Sequence, residues 1–169
     1  MPWSSDADAA GTHHTNEAST LAPQVALPHG PANVRAVTEL AGMRVDIAYI
    51  GAKLEDLRAA ARVLQGRRIA AGMQLMVAPV SVKDAAAAER EGMPSQLVAA
   101  VAPLLPSICG ACAGYGSRIA DGSSVISSTA RNFKGRMGSD TARVYLGSPY
   151  TVAASALRGT ITDAREVLA

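Results

Sequence analysis

Short apolar runs recur along the chain and alternate with stretches in which apolar residues repeat at helical spacing. Apolar runs of about four to eight residues bounded by turn residues are typical of buried strands. On this basis, strands are expected at residues 45–50, 74–79, 124–127 and 144–146. Gly51 directly follows the first run and indicates a tight turn there.

Helices are predicted between and after these strands, over residues 54–65, 81–91, 95–105 and 149–157. Ser81 and Ser95 are the expected N-caps of the second and third helices, because a serine hydroxyl accepts a free backbone N–H at a helix start. Gly66 and Gly159 are expected to end the first and last helices.

Strands that alternate with helices predict βαβ units around a largely parallel sheet. The expected fold class is therefore α/β, a three-layer α/β/α domain. In open sheets of this kind, ligands bind beyond the carboxyl ends of the strands. We therefore expect the loops after Ile50, Pro79 and Ser127, together with the loop around Cys109, to converge on one site.

Composition narrows the class of protein further. The chain has 169 residues, 49% of them apolar and only 4% aromatic, which suits one domain with a core of small and aliphatic side chains. A net charge of +2 without a basic cluster argues against nucleic-acid binding. No apolar run reaches the roughly 18 residues that span a bilayer, so no membrane association is expected.

The first 20 residues are polar and lack periodicity, which predicts a disordered tail before a folded domain at residues 21–169. They also lack the positive start and apolar core of a secretory signal. The expected location is therefore the cytoplasm, where the two cysteines would be reduced thiols.

Both cysteines lie in the segment Cys109-Gly110-Ala111-Cys112. Two thiolates at this spacing can hold one metal ion or an iron–sulfur cluster. The same spacing also occurs in redox pairs, although a redox pair normally follows a strand and starts a helix. Two unrelated buried thiols are the third interpretation, and the spacing alone leaves all three open.

Arg131 and Arg136 flank a turn that contains Gly135 and follows a run of hydroxyl side chains. A guanidinium group can bind a carboxylate through two parallel hydrogen bonds, so a substrate with two or three carboxylates is a natural ligand. The alternative is a pair of surface arginines in ordinary salt bridges.

Three long segments resemble one protein family. They are CGACAGYG (109–116), ISSTARNFKGRMGS (126–139) and VYLGSPYTVAASALRGTITDAREV (144–167), and they are similar to the C-terminal part of the aconitase and 3-isopropylmalate dehydratase large-subunit superfamily. The likeness extends over nearly all of residues 21–168 and corresponds to about the last third of a family large subunit, its cluster-bearing third domain.

The resemblance implies a hydro-lyase that dehydrates and rehydrates a di- or tricarboxylic hydroxy acid at a 4Fe-4S cluster. Cys109 and Cys112 match two of the three cysteines that hold this cluster in the family. Arg131 and Arg136 match the two arginines of the family's substrate motif and would bind substrate carboxylates. The implied partners are the small-molecule acid and other domains or a small subunit in separate chains.

The sequence departs from the family pattern at two positions that matter for chemistry. The family's third cluster cysteine follows the first strand of this domain, where the chain reads Ile50-Gly51-Ala52-Lys53-Leu54 without a cysteine. Ala130 stands where the family has an asparagine before Arg131. The parts of the family fold that supply the general base also have no counterpart in the sequence.

Two readings of function follow from this comparison. In the first, the chain is one domain of an iron–sulfur hydro-lyase that works only with partner chains, and no catalytic base is assigned within it. In the second, it is a degenerate relative without a cluster that acts as a binding or regulatory module. Both readings predict that the isolated chain has no turnover.

Overall fold

A computed structural model describes residues 11–12, 14–15, 17–102, 104–107, 118–129 and 131–168. Six strands form one sheet among these residues: β1 (Gln24–Ala26), β2 (Val34–Ala36), β3 (Ile47–Ala52), β4 (Gln74–Pro79), β5 (Ser124–Ser127) and β6 (Arg143–Leu146). Their order across the sheet is β2-β1-β6-β5-β3-β4. The disordered tail predicted for residues 1–20 lies mostly outside the described residues, which include a 3₁₀ turn at Ala18–Thr20.

The sheet is mostly parallel, as predicted. β3 pairs in parallel with β4 and β5, and β5 pairs in parallel with β6. β1 pairs with β2 and β6 in the antiparallel direction and so adds a hairpin at one edge. The contact between β1 and β6 consists of the single pair Ala26 and Leu146.

The helices in this part of the chain are α1 (Leu54–Leu64), α2 (Val82–Arg90), α3 (Met93–Ala99), α4 (Pro149–Arg158) and α5 (Arg165–Leu168). Ser81 caps α2 as predicted, since its hydroxyl accepts the Asp84 backbone N–H at 3.1 Å. Gly159 follows α4 at a left-handed φ of 72°, in the capping position expected from the sequence. None of these helices is both long and apolar enough to cross a membrane.

The prediction for the third helix was wrong at both ends. α3 begins at Met93 after Gly92, whose left-handed φ of 72° lets the chain turn sharply, so Ser95 lies inside the helix and does not cap it. Pro94 is tolerated there because the first turn of a helix needs no backbone N–H bond. The helix stops at Ala99 because Val101 adopts a left-handed φ of 68° and Ala102 donates its N–H back to the Leu97 carbonyl.

One face of the sheet packs against helices and forms the larger part of the core. Ala48 and Ile50 of β3 are fully buried on this face. They belong to the same cluster as apolar residues of α1 and α4, including Leu57, Leu64, Val152, Ala153 and Ala156. The small side chains of α4 let it pack closely against the sheet and α1, which suits a core with few aromatic residues.

The opposite face is covered mainly by irregular chain in the described residues. Ile47, Tyr49, Met76, Val125 and Val144 point to this side and pack against Ile119, Met137 and Ala142. The predicted α/β class is confirmed, and the second outer layer consists of these segments where the structure describes it.

Candidate functional site

The carboxyl ends of β3, β4, β5 and β6 lie along one edge of the sheet because these four strands are parallel. The chain leaves this edge after Ala52, Pro79, Ser127 and Leu146. α1, α2 and α4 begin within three residues of the ends of β3, β4 and β6. The loops after Pro79 and Ser127 lie at this edge, and β3 continues past Ile50 to Ala52. The loop around Cys109 lies outside the described residues, so the convergence of all four loops on one site stays a prediction.

The loop after β5 is tied to the end of β3. The Ser128 backbone N–H donates to the Tyr49 carbonyl at 3.0 Å, and the Ser128 hydroxyl donates to the Gly51 carbonyl at 3.4 Å. The Ser127 and Thr129 hydroxyls lie 2.8 Å apart, and Ser127 Oγ also accepts the Thr129 N–H at 3.1 Å. These bonds fix the direction in which the chain leaves β5 toward residues 131–136, here called the arginine segment.

Gly51 allows this close approach. A Cβ atom at residue 51 would lie 2.9 Å from the Thr129 methyl group, which is closer than carbon atoms normally come. The glycine predicted to mark a turn is instead a β3 residue that lets the β5 loop pass over it. Its role is therefore close contact between two segments of the edge.

Asn132 anchors the arginine segment to the sheet. The residue is fully buried, and its Nδ2 donates to the Leu27 carbonyl at 2.7 Å and to the Val144 carbonyl at 3.3 Å. Its Oδ1 has no hydrogen-bond partner among the described residues. This residue was not predicted, because a lone asparagine between Arg131 and Phe133 gives no sequence signal that it is buried.

Arg131 is exposed and Arg136 is half-buried on either side of this anchor. Gly135 adopts a left-handed φ of 77° between them, and the Arg136 N–H donates to the Phe133 carbonyl at 3.1 Å. The Arg136 guanidinium lies over the Phe133 ring, 5.6 Å from its centroid.

Neither arginine forms an ion pair or a side-chain hydrogen bond with the residues that the structure describes. The described residues therefore do not support the alternative, in which the two arginines form ordinary salt bridges. Two guanidinium groups without acidic partners among the described residues, on a loop that follows β5 and is anchored to β6, can bind an anionic ligand.

The connection from β3 to α1 is a single residue, Lys53. Its backbone N–H donates to the Asp56 carboxylate at 3.0 Å, and the Leu54 N–H donates to Asp84 Oδ1 at 3.0 Å. The first donors of α1 are thus already paired within the chain. Asp84 was not predicted, although Ser81-x-x-Asp84 is the kind of capping sequence that could have indicated it.

Asp84 is held in its charged form. The hydroxyl of Ser81 donates to its second carboxylate oxygen and lowers the pKa of Asp84 below its usual value. A carboxylate that is ionised and already accepts two or more hydrogen bonds serves to cap helices and is poorly suited to shuttle protons.

These residues do not complete a cluster site with three thiolates. The β3–α1 connection supplies no cysteine, and the whole chain contains two. Cys109, Cys112 and Ala130 lie outside the described residues. Among the described residues, no group of three histidine, cysteine, aspartate or glutamate side chains is arranged to hold a metal ion.

Comparison with known proteins gives a consistent result. A sequence model described as "Aconitase family (aconitate hydratase)" matches residues 8–159. The 3-isopropylmalate dehydratase large subunit of Mycolicibacterium smegmatis is 45% identical over 157 residues, which cover 89% of this chain and 37% of that protein. The homoaconitase large subunit of Thermus thermophilus is 40% identical over 154 residues, or 88% of this chain and 37% of that protein.

The 3-isopropylmalate dehydratase large subunit of Moorella thermoacetica is 38% identical over an alignment of 172 positions, which covers 98% of this chain and 41% of that protein. The chain therefore spans about two fifths of the length of the curated relatives it matches.

Proposed function

The chain belongs to the aconitase family, and from this we propose that it is the carboxylate-binding domain of a hydro-lyase that needs further domains or chains for turnover. The proposed reaction is the dehydration and rehydration of a di- or tricarboxylic hydroxy acid. An acid related to 3-isopropylmalate is the first candidate substrate, because two of the relatives compared above are named for its dehydratase.

The observation that supports this proposal is the absence of acidic partners for Arg131 and Arg136 among the described residues. Each guanidinium can form two parallel hydrogen bonds to one carboxylate of the ligand. Two such contacts would fix the orientation of a dicarboxylic acid. They would also stabilise negative charge that develops when the acid loses a proton next to a carboxylate.

The chain offers two thiols, Cys109 and Cys112, toward the iron–sulfur cluster that the family resemblance implies. A cluster held by three cysteines does not fit this chain, so we assign no step of the reaction to it here. A third ligand and a proton-accepting base would both come from a partner, either another domain or a small subunit. The predicted cytoplasmic location suits such an enzyme and remains a prediction.

The experiment is a titration of the purified chain with 3-isopropylmalate and with citrate. Calorimetry and amide chemical shifts measure the binding. Arg131→Gln and Arg136→Gln should each weaken binding about tenfold or more, because each removes a charge-assisted contact. Arg62→Gln is the matched control, since Arg62 is an exposed arginine in the last turn of α1 and makes the same chemical change away from this loop. Equal affinity in all three variants would contradict the proposal.

A second candidate function is a cluster-less binding module, the degenerate relative considered from the sequence. The one-residue β3–α1 connection favours this function, because it supplies no cysteine to a cluster. The backbone donors at this connection are also already paired with Asp56 and Asp84. Anaerobic reconstitution with iron and sulfide separates the two functions. Stable visible absorbance that Cys109→Ser abolishes supports the hydro-lyase domain, whereas carboxylate binding without any cluster supports the module.

A further inference from the structure

We infer that Asn132 is a positioning residue, which holds the segment containing Arg131 and Arg136 against β6 and the β1–β2 hairpin. The inference rests on the proposed function, because it concerns the same two arginines. It starts from a buried amide that bonds to two different parts of the fold, Leu27 directly after β1 and Val144 in β6.

The orientation of the Asn132 amide is determined by its neighbours. Both of its partners are carbonyl oxygens, so the side-chain nitrogen must face them and donate both of its hydrogens. Rotation of the amide by half a turn would place three oxygens together. An apolar side chain of similar volume would leave the Leu27 and Val144 carbonyls without this donor.

These two carbonyls lie where the sheet ladder stops. β1 and β6 are joined by the single pair Ala26 and Leu146, and antiparallel register would next place Leu27 opposite Tyr145. The Asn132 amide bridges the two strands just beyond that last pair. One side chain therefore connects the edge hairpin, β6 and the arginine segment.

The same connection fixes the two arginines. Arg131 directly precedes the buried residue, and Arg136 follows it by one short turn, in which the Arg136 N–H donates to the Phe133 carbonyl at 3.1 Å. Gly138 continues the turn by donating its N–H to the Gly135 carbonyl at 3.0 Å. If the anchor is lost, both guanidinium groups lose the fixed backbone from which they extend.

The test compares Asn132→Ser and Asn132→Asp with Ser155→Ala in the full chain. Ser155 is the matched control because it is also fully buried and also bonds to two backbone groups, the Thr151 carbonyl and the Thr162 N–H. It lies in α4, away from the arginine segment. All three variants should lose thermal stability.

Two measurements distinguish positioning from a purely structural role. We expect amide exchange at Arg136 and Gly138 to accelerate about tenfold or more in both Asn132 variants, and to change little relative to global exchange in Ser155→Ala. Citrate affinity should fall about tenfold in the Asn132 variants and stay within twofold of wild type in the control. In Asn132→Asp, slow amide exchange and citrate affinity are each compared with wild type at the same pH. Both should be closer to wild type at pH 5 than at pH 8, because a protonated carboxyl can donate to one carbonyl.

The results keep the two proposals separate. If wild type binds neither citrate nor 3-isopropylmalate, the proposed function fails, and exchange at Arg136 and Gly138 still decides whether Asn132 orders the segment. If exchange and affinity change equally in the Asn132 variants and in Ser155→Ala, Asn132 is an ordinary buried residue and the inference is overturned.

Discussion

The Asp84 carboxylate accepts the Leu54 backbone N–H at 3.0 Å, so the first turn of α2 caps the first turn of α1. The two residues are 30 positions apart in the chain, and their contact closes the edge of the sheet between β3 and β4. The same carboxylate is bonded to Ser81, which caps α2. One aspartate thus fixes the starts of two helices beside the candidate site.

Removal of this shared cap should lower stability. Asp84→Ala loses the acceptor for the Leu54 N–H and the partner of Ser81, and we expect the melting temperature to fall by a few degrees. Glu89→Ala is the control, since Glu89 is an exposed carboxylate in the same helix. Thermal melts by circular dichroism measure the difference. Equal melting temperatures in the two variants would show that the contact contributes nothing.

Asp163 and Arg165 should make stability depend on pH. The Arg165 guanidinium lowers the pKa of the nearly buried Asp163 carboxyl, mainly through a side-chain hydrogen bond. Because the folded pKa lies below the unfolded one, the pair stabilises the fold above the unfolded pKa of about 4. That contribution disappears as the pH falls through the folded pKa.

The variant Arg165→Gln tests this sign. It should melt below wild type at pH 7, and the gap should close as the pH falls toward about 2. Arg62→Gln, which changes an exposed arginine in α1, should show a small gap that does not vary with pH. A gap for Arg165→Gln that widens in acid would mean that Asp163 is not stabilised in its charged form.

The strands β4 and β5 have the bounds that the sequence predicts. In both, the hydrogen-bonded pairing with the neighbouring strand extends over the same residues as the predicted run. β3 starts two residues later than predicted. Val45 donates its N–H to the Gly159 carbonyl, and the Asp46 carboxylate accepts the Ser124 N–H at 2.9 Å. These tertiary contacts cannot be read from an apolar pattern.

The short hairpin of β1 and β2 was missed for a different reason. Each strand has three residues, too few for a periodic signal, and β2 begins after the last of the prolines at 23, 28 and 31. At the site, Arg131 and Arg136 could be named from the sequence because their spacing matches a family motif. Asn132 could not, because its importance depends on carbonyl groups from two distant segments.

Gly51 should be intolerant of a side chain. In Gly51→Ala, the added methyl would meet the Thr129 methyl at 2.9 Å, and we expect a loss of about 1–3 kcal/mol in the free energy of unfolding. Thr129→Ser removes that methyl and keeps the hydroxyl that lies 2.8 Å from Ser127 Oγ. The double variant should therefore recover most of the loss, as measured by urea unfolding. Additive losses would show that the clash is elsewhere.

Val101 should become more favourable as glycine. It has a left-handed φ of 68°, which costs a residue with a side chain about 1–2 kcal/mol, and it is half exposed. We expect Val101→Gly to raise the free energy of unfolding by about 1 kcal/mol, after allowing for some lost packing. Val98→Gly makes the same chemical change within α3 and should destabilise the protein. Destabilisation by both changes would contradict the argument from φ.

Phe133 should support carboxylate binding through Arg136. The ring is half exposed, and its centroid lies 5.6 Å from the guanidinium carbon. This contact orients the guanidinium group and does not neutralise its charge. Removal of the ring in Phe133→Ala should weaken citrate binding about two- to fivefold, the effect of losing an exposed cation–π contact. Phe133→Tyr keeps an aromatic face and should bind like wild type.

Tyr150→Ala provides the control, since Tyr150 is a second exposed aromatic residue, at the start of α4. Its loss should leave citrate affinity unchanged, because no guanidinium lies over its ring among the described residues. Because Arg136 would keep its charge in Phe133→Ala, the loss measured there reports the orientation of the guanidinium and not its presence. Wild-type affinity in Phe133→Ala would mean that the backbone turn alone orients Arg136.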